Sequence, residues 1–242
     1  MRSRKRPNPD HANFFRYPAV VKVRFPPHCL KRTIRFARIL VVIFIFLAAT
    51  IWLQHKTSKP GMTQFDPTRM GQLEASMWRS YYEGRWTSLA WHGMQVSCGQ
   101  YGFSWWDGGR ASWLAALAAL HFRTNTYDPR CLPALQNYYR IIQKASGQNF
   151  DVTEAARLEL EWWRERRRHV ATLDYAKTIA QLTARIYEEE VAPLIPPSEK
   201  RAAAMAYRDA RSNGRMTESD WEEVTRQLNQ AYTGLKKVVT PE

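Results

Sequence analysis

The segment Thr217-Glu-Ser-Asp-Trp-Glu-Glu-Val-Thr-Arg-Gln-Leu-Asn-Gln-Ala-Tyr-Thr-Gly-Leu235 indicates the fold class of this chain. Thr217 and Asp220 have the spacing of a capping box, in which each side chain bonds the other residue's backbone N–H at a helix start. The apolar residues that follow recur three and four positions apart: Trp221, Val224, Leu228, Ala231, Tyr232 and Leu235. This period is typical of one face of an α-helix, so the segment predicts a helix that packs against others.

The same signals predict six further helices between residues 66 and 213. Asp66, Ser104 and Asp151 are N-cap candidates, Gly147 can end a helix, and Pro193–Pro197 should separate two helices. Their approximate ranges are 66–86, 104–120, 133–146, 151–169, 172–191 and 198–213. The second is rich in small residues and should pack closely. No period-two pattern is long enough for a strand, so we predict an all-α bundle of about seven helices.

A different segment, residues 39–53, reads ILVVIFIFLAATIWL and has Thr50 as its only polar residue. Extended to residues 34–54, it is long enough to cross a hydrocarbon core of about 30 Å as a helix. Arg35 and Arg38 would then reach the headgroups at one end, and Trp52 would lie at the other interface. We therefore predict a single transmembrane helix. A cleaved signal peptide is the main alternative, but the basic region is long for one.

Positive charge is concentrated before this span. Residues 1–56 carry 12 Lys or Arg and one acidic residue, whereas residues 57–242 carry 24 basic and 21 acidic residues. Because positively charged flanks remain on the cytoplasmic side, we predict a cytoplasmic N-terminus and a C-terminal domain on the non-cytoplasmic side. The basic arm should attract anionic lipid headgroups. Nucleic-acid binding is not expected, because the rest of the chain is nearly neutral.

These features divide the chain into four predicted parts. Residues 1–33 form a basic, proline-containing, disordered cytoplasmic arm, and residues 34–54 form the transmembrane helix. Residues 55–65 form a linker, and residues 66–242 form the all-α domain. A domain of this size can bury its own hydrophobic core.

Cysteines and paired aromatic residues are the candidate structural and binding residues of the helical domain. Cys98 and Cys131 could form a disulfide in an oxidising compartment, or they could remain two unpaired apolar residues in the bundle. Adjacent aromatic residues point about 100° apart on a helix, so one ring of each pair can face a partner. The candidate interaction surface comprises Tyr82, Trp105, Trp106 and Trp163.

Motifs for catalysis or metal binding do not emerge from the sequence. His92, His121 and His169 lie on separate predicted elements and form no HExxH or ExxH pair. A nucleophile elbow and a glycine-rich phosphate loop are also lacking. We therefore predict no cofactor and no metal site.

Residues 209–220 lie between two predicted helices and resemble an EF-hand calcium loop. Asp209 matches its first position, Gly214 its sixth and Asp220 its twelfth. The resemblance covers these residues alone, and Arg211 stands where a carboxylate ligand is expected, so it implies poor calcium affinity. The same residues also fit a helix that ends at Gly214, followed by the capping box of the next helix.

Two functional hypotheses follow. In the first, the helical domain is a protein-interaction or scaffold domain at the membrane surface, with an unidentified protein partner. In the second, it is a membrane-anchored enzyme or cofactor carrier with a pocket between helices, for which His92 or His121 would be the first residues to consider. The lack of a catalytic motif favours the first hypothesis.

Overall fold

The computed structural model describes residues 39–45, 61–211 and 216–240, and every regular element in these ranges is helical. The all-α prediction is therefore confirmed for the described part of the chain. Residues 39–45 form a short helix, α1, whose apolar side chains are exposed. They belong to the unit Met1–Leu47, and the other helices belong to a second unit, Ala48–Glu242.

The described residues of the second unit contain eight α-helices and one π-helical segment. The α-helices are α2 (Pro67–Tyr82), α3 (Trp86–Met94), α4 (Trp105–Thr124), α5 (Cys131–Ser146), α6 (Val152–Arg167), α7 (Thr172–Tyr187), α8 (Val191–Ala210) and α9 (Glu218–Val239). The π-helical segment, Gln95–Gln100, continues directly from α3.

Side chains identified in the sequence cap four of these helices. Asp66 Oδ1 accepts the N–H of Thr68 at 2.8 Å at the start of α2. Ser104, Asp151 and Thr217 cap α4, α6 and α9 in the same way, and Thr217 forms the predicted reciprocal capping box. The starts of these helices are thus determined by local hydrogen bonds that satisfy free backbone N–H groups.

The first predicted helix is divided into α2 and α3. α2 ends at Tyr82, and Gly84 follows in the left-handed conformation with a φ of 72°. Arg85 precedes α3 and provides no side-chain cap. The sequence therefore carried no start signal for α3, and the prediction of one continuous helix to residue 86 was wrong.

The predicted break at Pro193–Pro197 is also wrong, because α8 begins at Val191 and includes these prolines. Pro193 lies in the first turn, where a proline removes no helical hydrogen bond. Pro196 and Pro197 lie further inside, and the helix continues through them. Tertiary packing offsets the lost bonds, since Leu194 is fully buried and a Cβ on Gly234 of α9 would lie 3.2 Å from Pro197.

The main core lies among α2 and α4 to α9. Met62 and Phe65 are buried in it, and Thr240 Oγ1 donates to the carbonyl of Thr63 at 3.2 Å. Met62 and Phe65, which the prediction assigned to the linker at residues 55–65, thus contribute to the packed core. Gly71 lies where α2 meets α9. A Cβ on Gly71 would lie 2.6 Å from the backbone nitrogen of Asn229, so the two helices are in close backbone contact.

Within the described ranges, none of the helices combines the length and the apolar character needed to cross a bilayer. The predicted transmembrane helix at residues 34–54 lies outside the described residues except for residues 39–45. Arg35, Arg38 and Trp52, the predicted interface residues, also lie outside them, as does the arm at residues 1–33.

The candidate disulfide between Cys98 and Cys131 is not formed, because both cysteines are free thiols. Cys98 Sγ lies against Gly108, whereas Cys131 Sγ contacts the carbonyl of Ala118 at 3.7 Å. These two contacts are ten residues apart on α4, or about 15 Å along the helix. That separation far exceeds the span of a disulfide.

Candidate functional site

A cavity of about 560 Å³ lies between α2, α4, α6 and α8, with α3 closing one side. We call it the pocket. Its wall is mostly apolar and largely aromatic, with contributions from Trp78, Tyr81, Leu89, Phe122, Trp162 and Trp163. Cavities of this volume and character are typical of small-molecule binding sites.

Three helices line the pocket from its buried inner end to its exposed mouth. Their lining residues run from Glu74 to Tyr82 on α2, from Glu159 to Arg167 on α6 and from Arg201 to Asp209 on α8. Eight helical residues advance by about 12 Å, so the pocket has roughly this depth. The inner end is the more buried, since Glu74 is 6% exposed whereas Arg167 is an exposed residue.

An ion pair lies at the inner end. Arg201 Nε and Nη2 donate to Oε1 of Glu74 at 2.9 and 2.5 Å. The guanidinium also lies 5.6 Å from the centre of the Trp162 ring. Burial alone would lower the pKa of Arg201, but the charge and hydrogen bond of Glu74, together with Tyr232 and Glu159, offset this and keep the pKa above its ordinary value. The Arg201 guanidinium therefore stays charged beside Glu74.

Glu159 is the second carboxyl group at the inner end. Its Oε2 accepts the hydroxyl of Tyr139 at 2.9 Å, and its Oε1 accepts Nε1–H of Trp163 at 2.9 Å. Burial raises the pKa of Glu159 above its ordinary value, because a charged carboxylate is poorly solvated there. The group is thus held as a hydrogen-bonded carboxyl with a reduced tendency to ionise.

Three polar atoms of the lining residues are buried and have no hydrogen-bond partner among the described residues. They are Glu74 Oε2, Trp162 Nε1 and Arg208 Nε. Glu74 and Trp162 are each only 6% exposed. A buried polar atom left unpaired costs about 1–3 kcal/mol, so native interiors rarely leave several in one place. These atoms are enclosed by the protein and do not face the cavity: Glu74 interacts with Tyr232, and Trp162 interacts with Glu159.

Closer to the mouth, a polar network joins α2, α6 and α8. Arg166 contacts Asp209 through two hydrogen bonds of 2.8 and 2.7 Å and also donates to the Tyr82 hydroxyl at 2.6 Å. The guanidinium of Arg208 stacks 3.2 Å from the Tyr82 ring centre and lies 3.2 Å from Asp209. These contacts hold Tyr82 in the pocket wall.

Two exposed arginines, Arg123 and Arg167, lie at the mouth. Arg123 donates to the carbonyl of Tyr81 at 3.2 Å and lies 5.4 Å from the Trp86 ring centre. Arg167 lies 5.5 Å from the Phe122 ring centre. Among the described residues, neither forms an ion pair with a carboxylate. Their positions are therefore set by rings and a backbone carbonyl, and their charge is not neutralised.

The small residues of α4 create the space. Ala115, Ala116 and Ala119 all line the pocket. The predicted close packing of α4 holds on the side that faces α5, where Ala118 is fully buried and its carbonyl lies 3.7 Å from Cys131 Sγ. On the side that faces the pocket, the short side chains leave a cavity rather than a tight helix contact.

A second cavity of about 200 Å³ lies behind the inner end and shares Glu74, Glu159 and Arg201 with the pocket. Tyrosines dominate its polar lining: Tyr101, Tyr138, Tyr139, Tyr187 and Tyr232. Burial raises the pKa of all five hydroxyls, so they remain neutral hydrogen-bonding groups. Glu74, Glu159 and Arg201 thus form a polar partition between an aromatic pocket and a tyrosine-lined cavity.

Sequence reasoning did not identify Glu74, Glu159 and Arg201, although a signal for two of them was present. The pattern Leu-Glu-x-x-x-Trp-Arg occurs at residues 73–79 and again at residues 158–164. It places Glu74 on α2 and Glu159 on α6 at equivalent positions, and both reach the inner end of the pocket. No pattern in the sequence indicated that Arg201 would meet them.

The structure divides the four predicted interaction residues into two pairs. Trp105 and Trp106 are exposed. Tyr82 and Trp163 line the pocket instead, because hydrogen bonds to Arg166 and Glu159 hold them inward. Trp106 begins an exposed row on α4 at seven-residue spacing: Trp106 (66% exposed), Trp113 (64%) and Leu120 (41%).

The histidines considered from the sequence do not form a common site. His92 has a buried Nδ1 with no partner among the described residues, and burial lowers its pKa. His121 Nδ1 lies 3.7 Å from Asp128, at the end of α4. Neither lines the pocket, whereas His169 does so at the mouth. The described residues contain no group of three or more His, Cys, Asp or Glu side chains suited to a metal ion.

The end carboxylates of the EF-hand-like segment make contacts within the protein. Asp209 is bound by Arg166 and Arg208, and Asp220 caps α9 and pairs with Arg211 at 3.0 Å. Residues 212–215 lie outside the described ranges. The two terminal ligand positions of the resemblance are thus occupied by arginines and a helix cap.

Comparisons with known proteins identify no relative, since no family model, curated protein or solved structure matches this chain.

Proposed function

We propose that this chain is a membrane-anchored protein whose helical domain binds an apolar small molecule in the pocket. One observation carries the proposal: a cavity of about 560 Å³ with a mostly apolar, largely aromatic wall lies between α2, α4, α6 and α8. A cavity of this size and character can enclose most of the surface of a small apolar molecule. The proposal is a version of the second hypothesis from the sequence, in which a pocket between helices carries a small molecule.

The membrane location is part of the proposal. Its support is the apolar segment at residues 34–54 together with the basic arm before it. The helical conformation and exposed apolar side chains of residues 39–45 are consistent with a span. On this proposal the N-terminus is cytoplasmic, the arm binds anionic headgroups, and the pocket faces the non-cytoplasmic side.

The test is to identify what the full chain retains from its native membrane. The chain is extracted together with its lipids in polymer-bounded particles, which need no added scaffold protein. The molecules bound to the purified chain are then identified by mass spectrometry. Wild type is compared with Ala119→Phe, which fills the pocket from α4, and with Ala203→Phe, which places the same ring at an exposed position on α8.

We expect a molecule enriched over bulk lipid in wild type and in Ala203→Phe, and depleted at least fivefold in Ala119→Phe. Equal recovery from all three proteins would contradict the proposal, provided that circular dichroism shows equal helix content.

A second candidate function is protein interaction, and the exposed row on α4 favours it. Trp106, Trp113 and Leu120 share one face of the helix, and exposed aromatic residues concentrate binding energy at interfaces. A photoreactive amino acid at position 113, compared with one at exposed Ala203, tests this in intact membranes. A partner captured only from position 113 would support interaction, and the same products from both positions would count against it.

A further inference from the structure

The charges around the pocket are unequal from the inner end to the mouth. Five arginines line it against three carboxyl groups: Arg123, Arg166, Arg167, Arg201 and Arg208 against Glu74, Glu159 and Asp209. The distribution of these groups decides which kind of head group a ligand can carry.

Glu74 and Glu159 lie at the inner end and Asp209 lies closer to the mouth, and each of these carboxyl groups already has hydrogen-bond donors. Glu74 binds Arg201, and Asp209 binds both Arg166 and Arg208. Glu159 accepts bonds from Tyr139 and Trp163 and has a raised pKa. A cationic ligand would therefore find no free carboxylate in the pocket, and the five arginines of the lining would repel it.

At the mouth of the pocket, positively charged side chains outnumber negatively charged ones. Arg123 and Arg167 have no carboxylate partner among the described residues, and each lies against an aromatic ring that limits its movement. A planar guanidinium held in this way keeps several N–H donors available and binds carboxylates or phosphates with little loss of side-chain entropy. The two arginines are thus prepositioned for an anion.

Between these ends the wall is apolar. Met77, Trp78, Leu89 and the α4 alanines line the middle of the pocket, which is about 12 Å deep. An alkyl or ring system of about eight carbons would fill that depth, and its burial would provide the main binding energy.

We infer that the ligand is an amphipathic anion: its apolar part lies in the pocket, and its carboxylate or phosphate is bound at the mouth by Arg123 and Arg167. This inference rests on the proposed function, because it names the ligand class of the same pocket. The head group could belong to a free fatty acid or to a phosphorylated lipid, and both present the same anionic oxygens to the arginines.

The experiment uses four probes with the same eight-carbon chain: octanoate, octyl phosphate, octan-1-ol and octyltrimethylammonium. Calorimetry measures their binding to the full chain in polymer-bounded lipid particles, and protein-free liposomes of the same lipids provide the blank. We expect one or both anions to bind about tenfold more tightly than octan-1-ol, and the cation to bind most weakly. The stronger of the two anions distinguishes a carboxylate from a phosphate head group.

Two matched double variants locate the effect. Arg123→Gln with Arg167→Gln should remove the preference for anions but leave octan-1-ol binding within about twofold. Arg140→Gln with Arg185→Gln removes the same charge from exposed positions on α5 and α7. This control should change neither the preference for anions nor the binding of octan-1-ol.

Three outcomes would overturn part of the account. Octan-1-ol or octyltrimethylammonium binding as tightly as the anions would refute the anionic class and leave the proposed function standing. An anion preference that survives the loss of Arg123 and Arg167 would also refute it. Failure of all four probes to bind, with Ala119→Phe giving the same heats as wild type, would refute the proposed function itself.

Discussion

Replacing Arg201 with methionine should destabilise the domain strongly. Arg201 is the only described basic residue that hydrogen-bonds to Glu74, and both of its contacts go to the same oxygen, Oε1. Methionine keeps most of the volume and the contact with Trp162 but removes the charge and the donors. Glu74, whose side chain is only 7% exposed, would then lose its only cationic partner among the described residues.

Removing one member of a buried ion pair costs about 3–5 kcal/mol, whereas replacing both members by apolar side chains of similar volume is close to neutral. We therefore expect Arg201→Met to lower the free energy of unfolding by about 3 kcal/mol or more. The double variant Glu74→Met with Arg201→Met should recover most of that loss, because no unpaired charge remains.

Urea denaturation of the full chain, followed by far-ultraviolet circular dichroism, measures both effects near neutral pH. A matched control is Arg185→Met, at an exposed position on α7, which should cost less than about 0.5 kcal/mol. A cost below about 1 kcal/mol for Arg201→Met would refute the reasoning, as would a double variant no more stable than the single one.

Three further predictions concern helix packing, the buried carboxyl of Glu159 and the membrane topology. Gly71→Ala should destabilise the domain by about 1–3 kcal/mol in the same assay, because its Cβ would meet the backbone of Asn229. Gly109→Ala is the control and should be neutral or stabilising, because nothing lies within 4 Å of its Cβ. Equal costs for the two variants would contradict the close contact of α2 and α9. The raised pKa of Glu159 means that its stabilising effect is complete below its ordinary value of 4.5 and is lost as pH rises through the raised value. Urea midpoints measured across this pH range should therefore fall with rising pH more steeply in wild type than in Glu159→Gln, and parallel profiles would count against a raised pKa. An epitope tag before residues 1–33 should resist protease added to intact cells and be lost after permeabilisation, and loss in intact cells would reverse the predicted topology.

The elements predicted correctly are those whose signals are local. Asp66, Ser104, Asp151 and Thr217 each accept backbone N–H groups within three residues, so the sequence contains the whole interaction. α3 was missed because it is short, follows the turn at Gly84 and lacks a side-chain cap.

The pocket could not be predicted because it depends on packing between distant helices. Glu74 and Arg201 are 127 positions apart, and only the arrangement of α2 beside α8 brings them together. The alanines of α4 indicated close packing, but whether short side chains give contact or a cavity depends on how far away the opposite helix lies. The repeated Leu-Glu-x-x-x-Trp-Arg pattern was the one local clue to the inner end.

The most direct test of the central claim, that the pocket binds a ligand, is to map where a photoreactive ligand reacts. A diazirine derivative of octanoate is irradiated with the full chain in lipid particles, and labelled residues are located by mass spectrometry. We predict labelling on the pocket side of α2 and α6, near Trp78 and Trp162, that excess octanoate suppresses and Ala119→Phe abolishes. Labelling confined to the exposed row on α4, or labelling that neither excess octanoate nor the variant reduces, would contradict it.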